Sequence, residues 1–423
     1  MRRKENIFKN IDWYLVITYF LLVIFGWISI YAAGYKPNVS SIFDISQNYG
    51  KQLIWIVAST VLILIILMID PKFFSALSYT FYAICILLLI GVLMFGSEIG
   101  GAKSWFKIGN FAMQPSEFTK IFTNLAIAKY LSSININNKK KYPKLKIAFI
   151  IGLPILLIFL QNDTGSALVY LAFIIVLFRD GFFKNTIIIG TVLIILFIAT
   201  LLLGKILILQ ILAGLLLLII LFLLKKFKKH KKAILKLVGI FAICSVYILS
   251  VDYIFENVLQ YHQRTRIEIL LGKKTDPHGA GYNVNQSKIA IGSGGFTGKG
   301  FLKGTQTKYN FIPAQSTDFI FCTVGEDFGF IGALTIIVLF LFLIIRIIIL
   351  AERQRSKFSR LYGYGVASIL FFHFSINVGM TIGLFPVIGI PLPFFSYGGS
   401  SLWSFTILLF IFIKQCSKKN ELI

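Results

Sequence analysis

The feature that most constrains this chain is a series of about a dozen apolar runs, separated by short polar segments. A helix needs roughly 20 apolar residues to cross the hydrocarbon layer of a bilayer. Inside that layer no water is available to the backbone, so only helices or closed barrels keep its polar groups bonded. The runs lie near 11–33, 51–69, 73–95, 115–133, 147–161, 165–179, 186–203, 206–224, 237–253, 333–350, 361–380 and 400–413. They predict an all-α, polytopic integral membrane helical bundle of about 12 spans. Because they occupy the whole length, residues 1–423 read as a single membrane domain. The runs at 147–161 and 165–179 are short, and read as tilted or joined by a re-entrant turn. The first run follows a basic N-terminus and is longer than the apolar core of a cleaved signal peptide, so it reads as a retained span.

Composition agrees, with 57% hydrophobic and 14% charged residues, where soluble domains carry about a quarter charged. A net charge of +25 would suggest a nucleic-acid partner if it were spread evenly. It is not. With the N-terminus in the cytoplasm, the inner loops 1–10, 70–72, 134–146, 180–185, 225–236 and 351–360, the tail after 413, Arg179 and Arg346 hold 27 of the 42 Lys and Arg residues. That is the positive-inside bias of a membrane protein, strongest in KKFKKHKK (225–232) and NNKKKYPKLK (137–146). No nucleic acid is expected, and both termini fall on the cytoplasmic side of the membrane.

The outer face then carries 34–50, 96–114, 161–164, 381–399 and a long extracytoplasmic loop of about 254–332. Loops of that length are uncommon without a function, and YNVNQSKIAIG within it reads as helix on the membrane surface. Cys85, Cys244, Cys322 and Cys416 have neither disulfide nor zinc spacing. His278 and His373 have no second histidine at ligand distance, so no metal site is read.

Only 17 acidic residues are present, and acids in or beside spans are costly enough to need a partner or a task. Glu117, in MQPSEFTK, sits at the positive start of a helix with Lys120 three residues on, on the same face. The pair reads either as a cap with an ordering ion pair or as the polar wall of a cavity. Asp163, in QNDTGSALVY, reads either as a helix cap or as a cavity group beside Gln161 and Asn162. Asp276 precedes Pro277, which holds it in a turn. The nearby glycines do not form a phosphate-binding P-loop. Ser293 stands where its first glycine belongs, and Gly300 follows Lys299 where Ser or Thr is required. Lys288, Lys299, Lys303 and Lys308 make this loop basic, suited to an anionic lipid head or pyrophosphate. Pro386, Pro391 and Pro393 break any helix before the last run, and irregular backbone at membrane depth usually lines a cavity.

At these residues the chain resembles the SEDS family of shape, elongation, division and sporulation proteins. The resemblance is carried in order by MQPSEFTK (113–120), QNDTGSALV (161–169), DPHGAGYNVNQSKIAIGSGGFTGKG (276–300), STDFIFCTVGEDFG (316–329) and GIPLPFFSYGGSS (389–401). GMTIG and VIGIPLPF are closer to the elongation branch than to the division branch. The chain departs from the family pattern at Lys103-Ser104, Asn162, Ala314 and Ser316, and its two runs beyond the family's usual ten lie between 186 and 253.

The resemblance implies a peptidoglycan glycosyltransferase that polymerises lipid II on the outer face. It would work with a class B penicillin-binding protein that cross-links the strands. It implies Asp276 as the catalytic residue and Glu117, Lys120 and Asp163 as substrate-binding groups. Gln286, Lys288, Lys299, Asp318 and Ser396, in the same motifs, complete the expected contacts. Passing from an α-linked diphosphate to a β-1,4 linkage takes one inversion, with one base and nearby cations. No cofactor is certain, and a divalent cation is left open. The alternatives are a division-type paralogue, a lipid II flippase or a scaffold.

Overall fold

The computed structural model describes residues 10–35, 41–109, 111–133, 142–182, 186–224, 227–259, 261–274 and 280–418. In chain order the elements are α1 (Trp13–Gly34), α2 (Asn48–Met68), α3 (Pro71–Ala76), α4 (Ser78–Phe95), β1 (Ser97–Ile99), β2 (Ala102–Ile108), β3 (Phe111–Met113), α5 (Pro115–Ser133) and α6 (Tyr142–Leu160). Then follow α7 (Thr164–Val169), α8 (Ala172–Arg179), α9 (Thr186–Leu203), α10 (Lys205–Leu224), α11 (Phe227–Tyr253), α12 (Tyr261–Leu270), α13 (Ala280–Gly294), α14 (Thr305–Lys308), α15 (Ile320–Glu352), α16 (Lys357–Thr381) and α17 (Gly399–Ser417). Each of the twelve expected ranges is helical, with α3 and α4 sharing the third and α7 and α8 the sixth. Among the described residues, eight helices are long and apolar enough to cross a membrane, and two shorter apolar stretches lie at Thr164–Arg179 and Ile188–Leu203. The chain is a multi-pass helical membrane protein.

It forms two compact units, Met1–Phe182 with Tyr282–Ile423, and Phe183–Gly281. In the first, α5 packs against α4, α16 and α17, α16 lies against α15, and α17 against α2. Polar residues fix the helix ends. Asp12 accepts from the Leu15 amide at 3.2 Å, capping α1, and its other oxygen receives Arg346 of α15 at 2.6 Å. Asp70 caps α3, with Pro71 at the first helical position, where its missing N–H is harmless.

The segment between α4 and α5 is a small antiparallel sheet in the order β1-β2-β3, an element the sequence reading left as loop. Gly100 and Gly101 turn β1 into β2 with positive φ at both positions, as a tight two-residue hairpin requires. The Lys103 amide donates to the Gln161 carbonyl at 3.0 Å, tying this sheet to the end of α6. The stretch 254–332 contains the helices α12, α13 and α14 among its described residues, and YNVNQSKIAIG is helical in α13. α15 is kinked at Gly329, whose φ of 63° and ψ of −156° lie outside helix. A Cβ there would come within 2.3 Å of the Gly298 amide nitrogen, so only glycine fits.

The second unit is built from α9, α10, α11 and α12. Lys205 at the start of α10 pairs with Asp252 near the end of α11 at 2.7 Å, and Tyr247 donates to the Leu193 carbonyl at 3.0 Å.

Candidate active site

α5 starts at Pro115, which puts Glu117 in its first turn and Lys120 one turn on. Both are buried, at 5% and 2% exposure. The Lys120 ammonium lies 2.7 Å from Glu117 Oε2. Ser404 of α17 donates to that same oxygen at 3.1 Å. Lys120 Nζ is also 3.1 Å from His373 Nε2 on α16 and 4.0 Å from the centre of the Phe405 ring on α17. Three helices therefore converge on one ammonium group. A buried ion pair persists only where its remaining donors and acceptors find partners, and here a hydroxyl, an imidazole and an aromatic face supply them.

The expected cap at Asp163 is present. α6 ends at Leu160, and Asn162 turns the chain with φ 61°, a conformation asparagine tolerates. Asp163 then accepts from the Ser166 amide at 3.0 Å, the Ser166 hydroxyl at 2.8 Å and Gln114 Nε2 at 2.8 Å. Ser116 of α5 is 3.3 Å from the Ser166 hydroxyl. Asp163 is partly exposed, so it caps α7 while binding the start of α5. Crowding by protein pushes its carboxyl above the usual range, with the charge of Glu117 adding to the effect and the three hydrogen bonds opposing it. Gln161 is buried and donates to the Leu89 carbonyl at 3.1 Å, so it serves the packing of α4.

The remaining expected residues fall elsewhere. Ser396 donates to the Thr317 carbonyl at 2.7 Å and accepts from the Leu392 amide at 2.9 Å, knitting 316–318 to 390–397. Asp318 is partly exposed, and its carbonyl accepts from Asn377 Nδ2 at 2.8 Å. Lys299 pairs with Glu326 at 2.8 Å. Glu326 is fully buried and also receives Thr305, Gln306 and Thr307, so this ion pair organises the turn around α14. Lys288 is exposed on α13 with the ammonium end of its side chain beside Gly383, and Gln286 is partly buried on the same helix. Asp276, with Pro277 and His278, lies outside the described residues.

The structure thus unites Glu117, Lys120 and Asp163 at the N-terminal end of α5, and distributes the other five. His373, which reads from the sequence as a buried polar contact, joins this cluster with Gln114, the residue before Pro115, and Ser404; no local spacing links His373 or Ser404 to α5. Among the described residues no group of three or more His, Cys, Asp and Glu side chains is placed to hold a metal ion.

The fold and the cluster define a multi-pass helical membrane protein with a buried cation–carboxylate centre at one end of α5. The chain belongs to the cell cycle protein family of FtsW, RodA and SpoVE, whose profile matches residues 12–211 and 182–421. It is 36% identical over 416 residues to the peptidoglycan glycosyltransferase RodA of Treponema pallidum, covering 94% of this chain and 95% of that protein. Identity to the peptidoglycan glycosyltransferase MrdB of Escherichia coli is 35%, over 81% of this chain and 78% of that one. A solved chain described under structural coordination of polymerization and crosslinking by a peptidoglycan synthase complex matches with a TM-score of 0.71 at 25% identity. That match covers 98% of this chain and 100% of the solved one.

Proposed function

We infer that this chain is a peptidoglycan glycosyltransferase of cell elongation, polymerising lipid II into glycan strands on the outer face of the bacterial cytoplasmic membrane. The observation that carries this reading is the match over almost the full length of both chains to a RodA named for that activity. The buried Glu117–Lys120 pair at the outer end of α5 supports it, since transfer from a diphosphate donor needs a fixed cation near the leaving group.

In the reaction, the acceptor 4-hydroxyl oxygen bonds to the anomeric carbon of the donor from the face opposite its diphosphate. The bond from that carbon to the diphosphate oxygen breaks, and undecaprenyl diphosphate leaves with the electron pair. Asp276 takes the hydroxyl proton as general base. Lys120 faces the developing negative charge, and Glu117 is its ion-pair partner at 2.7 Å. Asp163, Gln286, Asp318 and Ser396 line the path of the sugars. Lys288 is the second phosphate contact, and Lys299 reaches one only by leaving Glu326. A class B penicillin-binding protein cross-links the strands, its single span docking near 361–413. Likeness to a chain from a complex that couples polymerization and crosslinking supports that pairing.

The test is purified protein, with its penicillin-binding partner, incubated with labelled lipid II. Glycan strands are the expected product. Movement of lipid II between leaflets without any polymer would sink this reading in favour of a flippase.

A further inference from the structure

An ammonium group has three N–H donors and no acceptor. One donor of Lys120 faces Glu117 Oε2 at 2.7 Å, and a second faces His373 Nε2 at 3.1 Å. Because the ammonium can only donate, Nε2 must present its lone pair, which puts the proton of the neutral ring on Nδ1. His373 Nδ1 lies 3.3 Å from the Pro391 carbonyl oxygen, a group that can only accept. Two independent contacts therefore specify the same tautomer.

The ring is also fixed in orientation. His373 is 1% exposed and stands edge-on to Phe405, with centroids 4.8 Å apart at 88°. The face of Phe405 in turn carries the Lys120 ammonium. Asn377, one turn along α16, donates to the Ile390 carbonyl at 2.7 Å, so α16 holds the 390–391 backbone at two points.

We propose that His373 is a positioning residue for Lys120, fixing the ammonium between Glu117 and the Phe405 ring so that its charge is held toward the leaving diphosphate. Without His373 the ammonium keeps one hydrogen bond, to Glu117 on its own helix, and the face of Phe405, neither of which fixes its rotation. An acceptor on a second helix, oriented by the Pro391 carbonyl, removes that freedom. The proposal rests on the reading that Lys120 faces the diphosphate.

Two amide substitutions divide the functions of the imidazole. The Gln side chain in His373→Gln reaches the Nε2 position with an oxygen that accepts from Lys120. The Asn side chain in His373→Asn places its amide near Nδ1, beside Pro391, and leaves nothing for Lys120. His373→Phe fills the space without either contact.

The experiment measures kcat, KM and thermal midpoint for lipid II polymerisation by the full-length protein with its partner. His373→Gln is expected to keep kcat within about threefold of wild type. His373→Asn and His373→Phe are expected to lose about tenfold or more in kcat, with KM within about threefold. Equal rates for the Asn and Gln variants, rates that simply follow the thermal midpoint, or a folded Gln variant down more than about tenfold would each overturn the proposal. Lys120→Met, run in parallel, separates the two ideas. If it leaves kcat intact, the reading of Lys120 itself fails. If it abolishes turnover while the His373 variants behave alike, only the positioning role fails.

Discussion

α17 and α10 are both apolar helices of similar length, and they are used in opposite ways. In α17, 78% of the apolar window is buried, against 6% in α10. Hydrophobicity does not explain the contrast, because lipid tails are as apolar as leucine and exert no net pull on either helix. Polar groups do. α17 carries four hydroxyls in its first eight residues. Ser400 donates to the Ala112 carbonyl at 3.2 Å, Ser404 to Glu117 at 3.1 Å, and Thr406 meets the Tyr19 hydroxyl at 2.9 Å. α10 is a run of Leu and Ile, with its ion pair from Lys205 at the very end of the helix. In this membrane protein, buried polar contacts mark the helices that hold a site, and a uniform apolar helix marks one that meets lipid.

The sharpest way to break that contrast is Lys120→Met. Polymerisation should fall by at least about a hundredfold, the effect of losing a preorganised group at developing charge. The variant also leaves Glu117 buried and unpaired, which costs about 3–5 kcal/mol of stability. Adding Glu117→Gln should restore the thermal midpoint and leave the rate low. A double variant with wild-type turnover would reduce the pair to a structural tie.

Asp163 gives the next largest effect and separates cap from cavity. Asp163→Ala should lower stability by about 1 kcal/mol through the lost cap, whereas Asp163→Asn still caps α7. Because burial holds the native carboxyl above its ordinary value, protonation favours the folded state. The carboxyl's stabilising contribution is therefore full below the ordinary carboxylate pKa and is lost as pH rises through the raised native one. Thermal scans of Asp163→Asn across acid to neutral pH should be flatter than those of wild type. Loss of polymerisation in this well-folded variant would place Asp163 against substrate, and unchanged polymerisation would leave it a cap.

The smallest effect is expected in the second unit. Lys205 and Asp252 are 44% and 25% exposed, and a pair of that kind contributes at most about 1 kcal/mol. Lys205→Met with Asp252→Asn should leave the polymerisation rate within about threefold. A hundredfold loss would move chemistry into α9–α11 and overturn the contrast.

Much of this was legible in the sequence because it is local. Run length gave the helices, and the three-residue step from Glu117 to Lys120 put both on one face of α5. The Asp-Thr-Gly after a helix break gave the cap at Asp163. The contacts that were not legible join distant positions. His373 lies 253 residues from Lys120, and Lys299 meets Glu326 across 27 residues, so no periodicity could reveal either. The hairpin of β1 and β2 is a different case. Its Gly-Gly turn signal was there, but strands of three and seven residues are too short to stand out among apolar runs.

The most direct test of the central claim is the initial rate of lipid II polymerisation by the purified full-length chain with its transpeptidase partner. Wild type and Asp276→Asn are compared, with Asp44→Asn, between α1 and α2 and outside every motif, as control. The account predicts glycan strands from wild type and control at similar rates, and a loss of at least about a hundredfold in Asp276→Asn. Strands from Asp276→Asn at near the wild-type rate would contradict it.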